Sequence, residues 1–176
     1  YFVDGNVSFP VSTTFGSPGL IYSIAIGDMD DDGDLDVVAG GKVPNPSLVY
    51  LNDGAGNLTA GEVFDKGGLI TALAMVVAVG DLDNDEDLDI IGARFSDGFP
   101  PPSPGYIYLN DGGGVFSTSH QFGVPFDTNA IALGDIDNDG DLDIITAHYY
   151  FEDSSSSVTN LVYLNDSRAN FPTIRA

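Results

Sequence analysis

The chain has 176 residues, 43% of them hydrophobic and 18% charged, with 27 Asp plus Glu against 5 Lys plus Arg and a formal net charge of −22. These figures fit one domain of ordinary size with a packed core and argue against wholesale disorder. A surface this negative repels phosphate backbones and anionic lipid, no apolar run approaches the roughly 20 residues of a membrane span, and the absence of cysteine removes disulfides, thiolate metal sites and cysteine nucleophiles.

The opening Tyr1-Phe2-Val3-Asp4-Gly5-Asn6 does not read as a signal peptide, so the chain is expected to be processed or to be a section of something longer. In chain order, Ser23-Ile24-Ala25-Ile26-Gly27 is an apolar, β-branched run that predicts a strand buried on both faces. It leads into an acidic cluster of Asp28, Asp30, Asp31, Asp32, Asp34 and Asp36, and then into a second apolar strand, Val37-Val38-Ala39-Gly40. A third strand ends in Tyr50-Leu51-Asn52-Asp53, where Asn52-Asp53-Gly54 predicts a hairpin turn, and a fourth covers Leu58 to Phe64.

The same order then recurs. Val76-Val77-Ala78-Val79-Gly80 precedes Asp81, Asp83, Asp85, Glu86, Asp87 and Asp89; Ile90-Ile91-Gly92-Ala93, Tyr108-Leu109-Asn110-Asp111 and a strand over Val115 to Phe122 follow. Ala130-Ile131-Ala132-Leu133-Gly134 precedes Asp135, Asp137, Asp139, Asp141 and Asp143, and then come Ile144-Ile145-Thr146-Ala147 and Tyr163-Leu164-Asn165-Asp166. The clusters start 53 and 54 residues apart, the Tyr-Leu-Asn-Asp landmarks stand 58 and 55 apart, and Tyr1-Phe2-Val3-Asp4-Gly5 reads as a degenerate fourth landmark. Two landmarks sharing one period describe an internal repeat of four antiparallel strands, the blade of an all-β propeller. The expected division is a partial blade at 1–22 and blades at 23–75, 76–129 and 130–176, about three and a half in all. Such a count leaves two apolar edges, so the chain is expected to belong to a larger propeller or assembly.

The clusters hold 17 of the 27 carboxylates and are flanked by β-branched residues instead of further charge, which sets them apart from a solvated acidic face. Each follows Asp-x-Asp-x-Asp-(Gly)-Asp-x-Asp, and in a tight loop alternate side chains turn to one centre. Two carboxylates about 5 Å apart repel by roughly 3 kcal/mol at an effective dielectric near 20, so four or five converging groups need a cation. All-oxygen ligands select a hard ion, and the loose 6–8-fold coordination of calcium suits a loop better than the strict octahedron of magnesium. Three calcium sites are expected: Asp28, Asp30, Asp32, Asp34 and Asp36; Asp81, Asp83, Asp85, Asp87 and Asp89; and Asp135, Asp137, Asp139, Asp141 and Asp143. Positions one, three, five and nine are assigned to side-chain ligation, and position seven to its backbone carbonyl. The loops are not EF-hands, because Ala39, Gly92 and Thr146 stand at position twelve and strands flank each loop. Glu86 replaces the glycine found at Gly33 and Gly140, a position expected to need a positive φ, so the second site is expected to be the weakest.

Gly27-Asp28-Met29-Asp30-Asp31-Asp32-Gly33-Asp34-Leu35-Asp36 and its two sister loops resemble the calcium loops of FG-GAP/VCBS-type repeats, found in the propellers of integrin α subunits and in propeller lectins; Phe15-Gly16 and Phe122-Gly123 resemble the Phe-Gly part of that motif. The resemblance covers nearly the whole chain. It implies calcium between the first two strands of each blade and extracellular adhesion or glycan recognition, usually without catalysis.

His120 and His148 sit in no triad pattern, and the aspartates are better used by metal than as a pair of glycosidase carboxylates, so no enzyme is expected. The expected partner is a glycan or protein held by the variable loops between second and third strands, with Phe99, Tyr106, Tyr149, Tyr150 and Phe151 as stacking candidates. Two alternatives stand beside this: a structural subunit of a filament or surface assembly built from further copies, and the non-catalytic module of a secreted carbohydrate-active enzyme. The calcium demand, with glycosylation sequons at Asn6, Asn57 and Asn165, points to an extracellular location, secreted or at the cell surface.

Overall fold

A computed structural model describes residues 14–16, 19–42, 45–64, 74–95, 104–125, 127–148, 160–171 and 173–175. The described residues are all-β, as expected, and form three four-stranded antiparallel sheets. The first sheet holds β1 (Ile21–Gly27), β2 (Asp36–Gly41), β3 (Leu48–Asn52) and β4 (Leu58–Ala60). The second holds β5 (Ala74–Gly80), β6 (Asp89–Phe95), β7 (Gly105–Leu109) and β8 (Thr118–Phe122). The third holds β9 (Thr128–Gly134), β10 (Asp143–His148), β11 (Leu161–Leu164) and β12 (Thr173–Arg175). In each sheet the strands lie side by side in chain order, a meander in the manner of a propeller blade, and the three blades do not close into a ring. The acidic loops make the turn between first and second strands, with Gly27 paired to Asp36, Gly80 to Asp89 and Gly134 to Asp143. Most of the partial blade expected at 1–22 lies outside the described residues.

The fourth strands are shorter than the sequence predicts. β4 stops at Ala60, although Gly61 N still donates to Val49 O (2.9 Å) and Val49 N to Glu62 O (3.0 Å), so the pairing continues in an irregular register.

Two apolar layers lie between blades. Met29, Val38 and Val49 of the first blade pack against Val77, Tyr106, Tyr108 and Phe116 of the second; Leu82, Ile91 and Ile107 of the second pack in turn with Tyr163 and Leu161 of the third, flanked by Ile131 and Leu133. Gly27 and Gly80 make room for this contact. A Cβ on Gly27 would lie 2.6 Å from Leu88 Cδ1, and one on Gly80 would lie 2.7 Å from Leu133 Cδ1. A recurring aromatic pair adds to it: Phe15 on Tyr50, Phe64 on Tyr108 and Phe122 on Tyr163 meet edge-on at 5.1, 5.2 and 5.5 Å. Phe64 went unnoticed in the sequence because Asp65 follows it where Gly follows Phe15 and Phe122.

The expectation that every first strand is buried on both faces fails for β1 and for β9, where Ala130 and Ala132 are exposed. Ile24 and Ile26 are each 60% exposed. Among the described residues only β5 has a blade on both sides, and burial follows the neighbour, not the strand's own composition.

The landmark asparagine joins blades. Asn110 Nδ2 donates to Leu88 O in its own blade (3.2 Å) and to Met29 O in the blade before (2.9 Å). Asn165 Nδ2 does the same with Leu142 O (3.1 Å) and Leu82 O (2.7 Å). Asn165 is therefore buried with its amide engaged, which removes this sequon as an acceptor in the folded chain. Asn57 is exposed, and Asn6 lies outside the described residues. Asn110→Ala strips a partner from one buried and one half-buried carbonyl at once and should cost about 2 kcal/mol in urea denaturation, well beyond an exposed control such as Asn57→Ala.

Candidate metal centres

Each acidic loop is wired by its own backbone. The position-one carboxylate spans the N–H groups of positions five and six: Asp28 accepts from Asp32 (3.1 Å) and Gly33 (2.8 Å), Asp81 from Asp85 (3.2 Å) and Glu86 (3.1 Å), and Asp135 from Asp139 (3.1 Å) and Gly140 (3.2 Å). The position-five carboxylate takes the N–H of position seven, from Asp34 to Asp32, Asp87 to Asp85 and Asp141 to Asp139. Position nine is fully buried. Asp36 accepts from Met29 N and Asn52 N (2.8 Å each), Asp89 from Leu82 N (2.9 Å) and Asn110 N (3.0 Å), and Asp143 from Ile136 N (2.8 Å) and Asn165 N (2.9 Å).

These turns bring carboxylates together. Asp28, Asp30 and Asp32, then Asp81, Asp83 and Asp85, then Asp135, Asp137 and Asp143 each place one oxygen within 4.8 Å of the others. Asp30 Oδ1 and Asp83 Oδ1 are buried and accept no hydrogen bond. Burial and then the neighbouring charges of Asp32, Asp36 and Asp28 raise the Asp30 pKa, while burial and then Asp85 and Asp81 raise that of Asp83. An all-carboxylate set with an unpartnered inward oxygen and mutual repulsion fits a hard cation. Positions one and three join such a triad in all three loops, position five in the first two and position nine in the third.

Position seven does something else in the third loop. Asp141 accepts from Asn84 Nδ2 of the loop before (2.7 Å) and from Ser167 Oγ, so its side chain links neighbouring loops. In the first-to-second junction the equivalent pair is Asp31 and Asp87. Burial, then Asp85, then Asp31 push the Asp87 pKa up. One junction therefore carries a hydrogen bond where the other carries repulsion.

The matched asparagine-type position is itself left-handed, with φ of 59° at Asp31, 61° at Asn84 and 62° at Asn138. Position six is left-handed as expected, with 91° at Gly33, 77° at Glu86 and 100° at Gly140. Glu86 thus sits in a backbone region that favours glycine.

Among the proposed stacking residues, Tyr106 is buried and its hydroxyl accepts from Gln121 Nε2 (2.7 Å), so it is a core residue and not a platform. Phe99, Tyr149, Tyr150 and Phe151 lie outside the described residues. His120 lies on the exposed face of β8, and His148 ends β10 with its N–H on Asn160 Oδ1 (3.2 Å).

A family model described as FG-GAP-like repeat matches residues 28–92 and 97–146, the stretches that carry all three acidic loops. The chain belongs to the FG-GAP-like repeat family. The FG-GAP-like match spans well over half the chain and brackets the first two loops in one segment and the third in another. No curated protein matches the sequence.

Glu86→Gly should stabilise the protein by about 1 kcal/mol through relief of backbone strain, read as a shifted urea midpoint at unchanged slope. A pH effect follows from Asp89, which burial lifts to about 7. A carboxyl raised in the folded state stays protonated there while the unfolded chain ionises, so metal-free stability falls as pH climbs from about 4 through about 7. Calorimetry in chelator should give a higher Tm near pH 5 than near pH 7.5.

Proposed function

We propose that the chain is a calcium-stabilised binding module that works outside the cell. The observation that carries this reading is the triple repetition of a carboxylate triad, closed around unpartnered buried oxygens in two loops, at the same corner of each blade. Side chains at positions one, three, five and nine and the carbonyl at position seven hold the ion. Bound calcium supplies positive charge that cancels carboxylate repulsion and fixes the turn. Its role is therefore structural, and the second loop, strained at Glu86, is the weakest site. The FG-GAP-like family supports the extracellular placement, and no helix among the described residues is long and apolar enough to cross a membrane.

Ligand contacts fall to the loops joining second and third strands, at the opposite end of the strands from the metal loops. They differ in length from blade to blade, and Lys42 stands at that end with its ammonium 5.4 Å from the centre of the half-exposed Tyr22 ring. A glycan or an acidic protein segment fits this end. The module is non-catalytic: its aspartates serve the ion, and its histidines lie apart from them.

Chelation should lower Tm by about 10 °C, if three sites at about fivefold excess over Kd each contribute roughly 1 kcal/mol. Calcium should restore it and magnesium should not. A melt indifferent to chelator, or anomalous-scattering maps without calcium in the triads at millimolar Ca²⁺, rejects the metal reading. A glycan array probed with the calcium-loaded protein tests the ligand.

A further inference from the structure

We infer that the three acidic loops bind their cations with positive cooperativity, and that Asn110 and Asn165 are the positioning residues that couple them. The inference rests on the calcium reading above and says how its sites regulate one another.

The loops are joined end to end by hydrogen bonds. Asp36 Oδ2 accepts from Met29 N (2.8 Å), and Met29 O accepts from Asn110 Nδ2 of the second blade (2.9 Å). Asn110 N donates to Asp89 Oδ1 (3.0 Å), and Asp89 Oδ2 accepts from Leu82 N (2.9 Å). Leu82 O accepts from Asn165 Nδ2 of the third blade (2.7 Å), and Asn165 N donates to Asp143 Oδ1 (2.9 Å). One unbroken line thus runs from Asp36 through Asp89 to Asp143.

The line passes through the backbone that carries the triads. Met29 lies between Asp28 and Asp30, and Leu82 between Asp81 and Asp83, the carboxylates at positions one and three of their loops. Holding Met29 at both its N–H and its carbonyl therefore holds the segment that presents Asp28 and Asp30. Met29 and Leu82 are also buried in the layers between blades, so neither loop shifts without disturbing its neighbour. In a loop without its ion, carboxylate repulsion works against this arrangement. A filled loop keeps its position-two residue in place for the next blade's asparagine. Part of the ordering cost of the next loop is then already met, and a smaller cost means a tighter site. By linkage the effect is the same in both directions.

Charge alone predicts the opposite sign. A bound divalent cation makes its surroundings less negative and weakens the attraction of a neighbouring site for a second cation. The sign of the coupling therefore separates the hydrogen-bonded line from electrostatics through space.

The two joints are unequal. Between the second and third loops, Leu82 O accepts a further bond from Ala169 N (3.1 Å), and Asn84 Nδ2 donates to Asp141 Oδ1 (2.7 Å). Between the first and second, Asp31 stands at the position of Asn84 and bears on Asp87 as a like charge. The second and third loops are therefore coupled the more strongly, and their joint outlasts the loss of its asparagine in part.

The test is a calcium titration of the full chain followed by amide NMR. The N–H groups of Gly33, Glu86 and Gly140, each bonded to the position-one carboxylate of its own loop, report the three sites separately. In wild type the three should move together, with a Hill coefficient above about 1.5. Asp28→Asn, which cripples the first site, should raise the calcium midpoint at Glu86 about fivefold. In an Asn110→Ala background the same change should no longer raise it, because the backbone N–H to Asp89 remains while the bridge to Met29 is gone. Asp137→Asn, which cripples the third site, should likewise raise the Glu86 midpoint, and Asn165→Ala should reduce that effect without abolishing it. The wild-type and Asp28→Asn titrations need no asparagine variant and decide the sign by themselves. Three independent sites with a Hill coefficient of about 1, a Glu86 midpoint that falls in Asp28→Asn, or an Asp28→Asn effect that persists in full in Asn110→Ala overturns the proposal. Amides that respond to calcium site by site refute the coupling alone; amides indifferent to calcium refute the calcium reading, and the coupling with it.

Discussion

The fold hinges on one buried carboxylate per blade, at the ninth position of the acidic loop. Asp36, Asp89 and Asp143 have no access to solvent, and each accepts two backbone N–H groups, one from its own loop and one from the landmark asparagine at the end of the third strand. The same carboxylate therefore shapes the acidic loop and locks it to the sheet. Through the asparagine side chain, that lock extends to the carbonyl of the preceding loop. Acidic loop, blade and blade–blade contact thus share one set of atoms, and a change in any of them is felt by the other two.

The three loops are close copies, yet their electrostatics differ. Asn84 to Asp141 is a hydrogen bond, whereas Asp31 and Asp87 face each other as like charges. A single side-chain amide in place of a carboxylate, at a left-handed position that suits either residue, separates the two junctions. The second loop carries both penalties: Glu86 at positive φ within it and the Asp31 charge beside it. Net charge alone does not convey this, because 17 carboxylates gathered in three places are either mutually destabilising or a cation's cage, depending on where single oxygens point.

The strands and their order were legible because hydrophobic runs, Asp spacing and Asn-Asp-Gly turns are local signals that recur. The positive φ at Glu86 was legible for the same reason: two sister loops have glycine there. What the sequence hid was whatever depends on a neighbour. Ile24 and Val77 look alike in their runs, yet one is exposed and the other buried, because only Val77 has a blade to pack on. Asn110 reads as a turn residue, and its bond to Met29, 81 residues earlier, has no local trace. Tyr106, taken for a surface aromatic, is held inside by Tyr108 and Gln121. Phe64 could have been found by position, since it precedes the next blade's first strand as Phe15 and Phe122 do.

Because each blade touches only its immediate neighbours and does so through the same glycine socket and the same asparagine bridge, the contact is indifferent to how many units are strung together. Duplication or loss of a whole unit then leaves every remaining joint chemically intact, and stability accrues joint by joint along the array. Gene-level changes in unit number are thereby tolerated where a point change at a socket is not: a methyl group on Gly27 closes the seat that the next unit's leucine must enter.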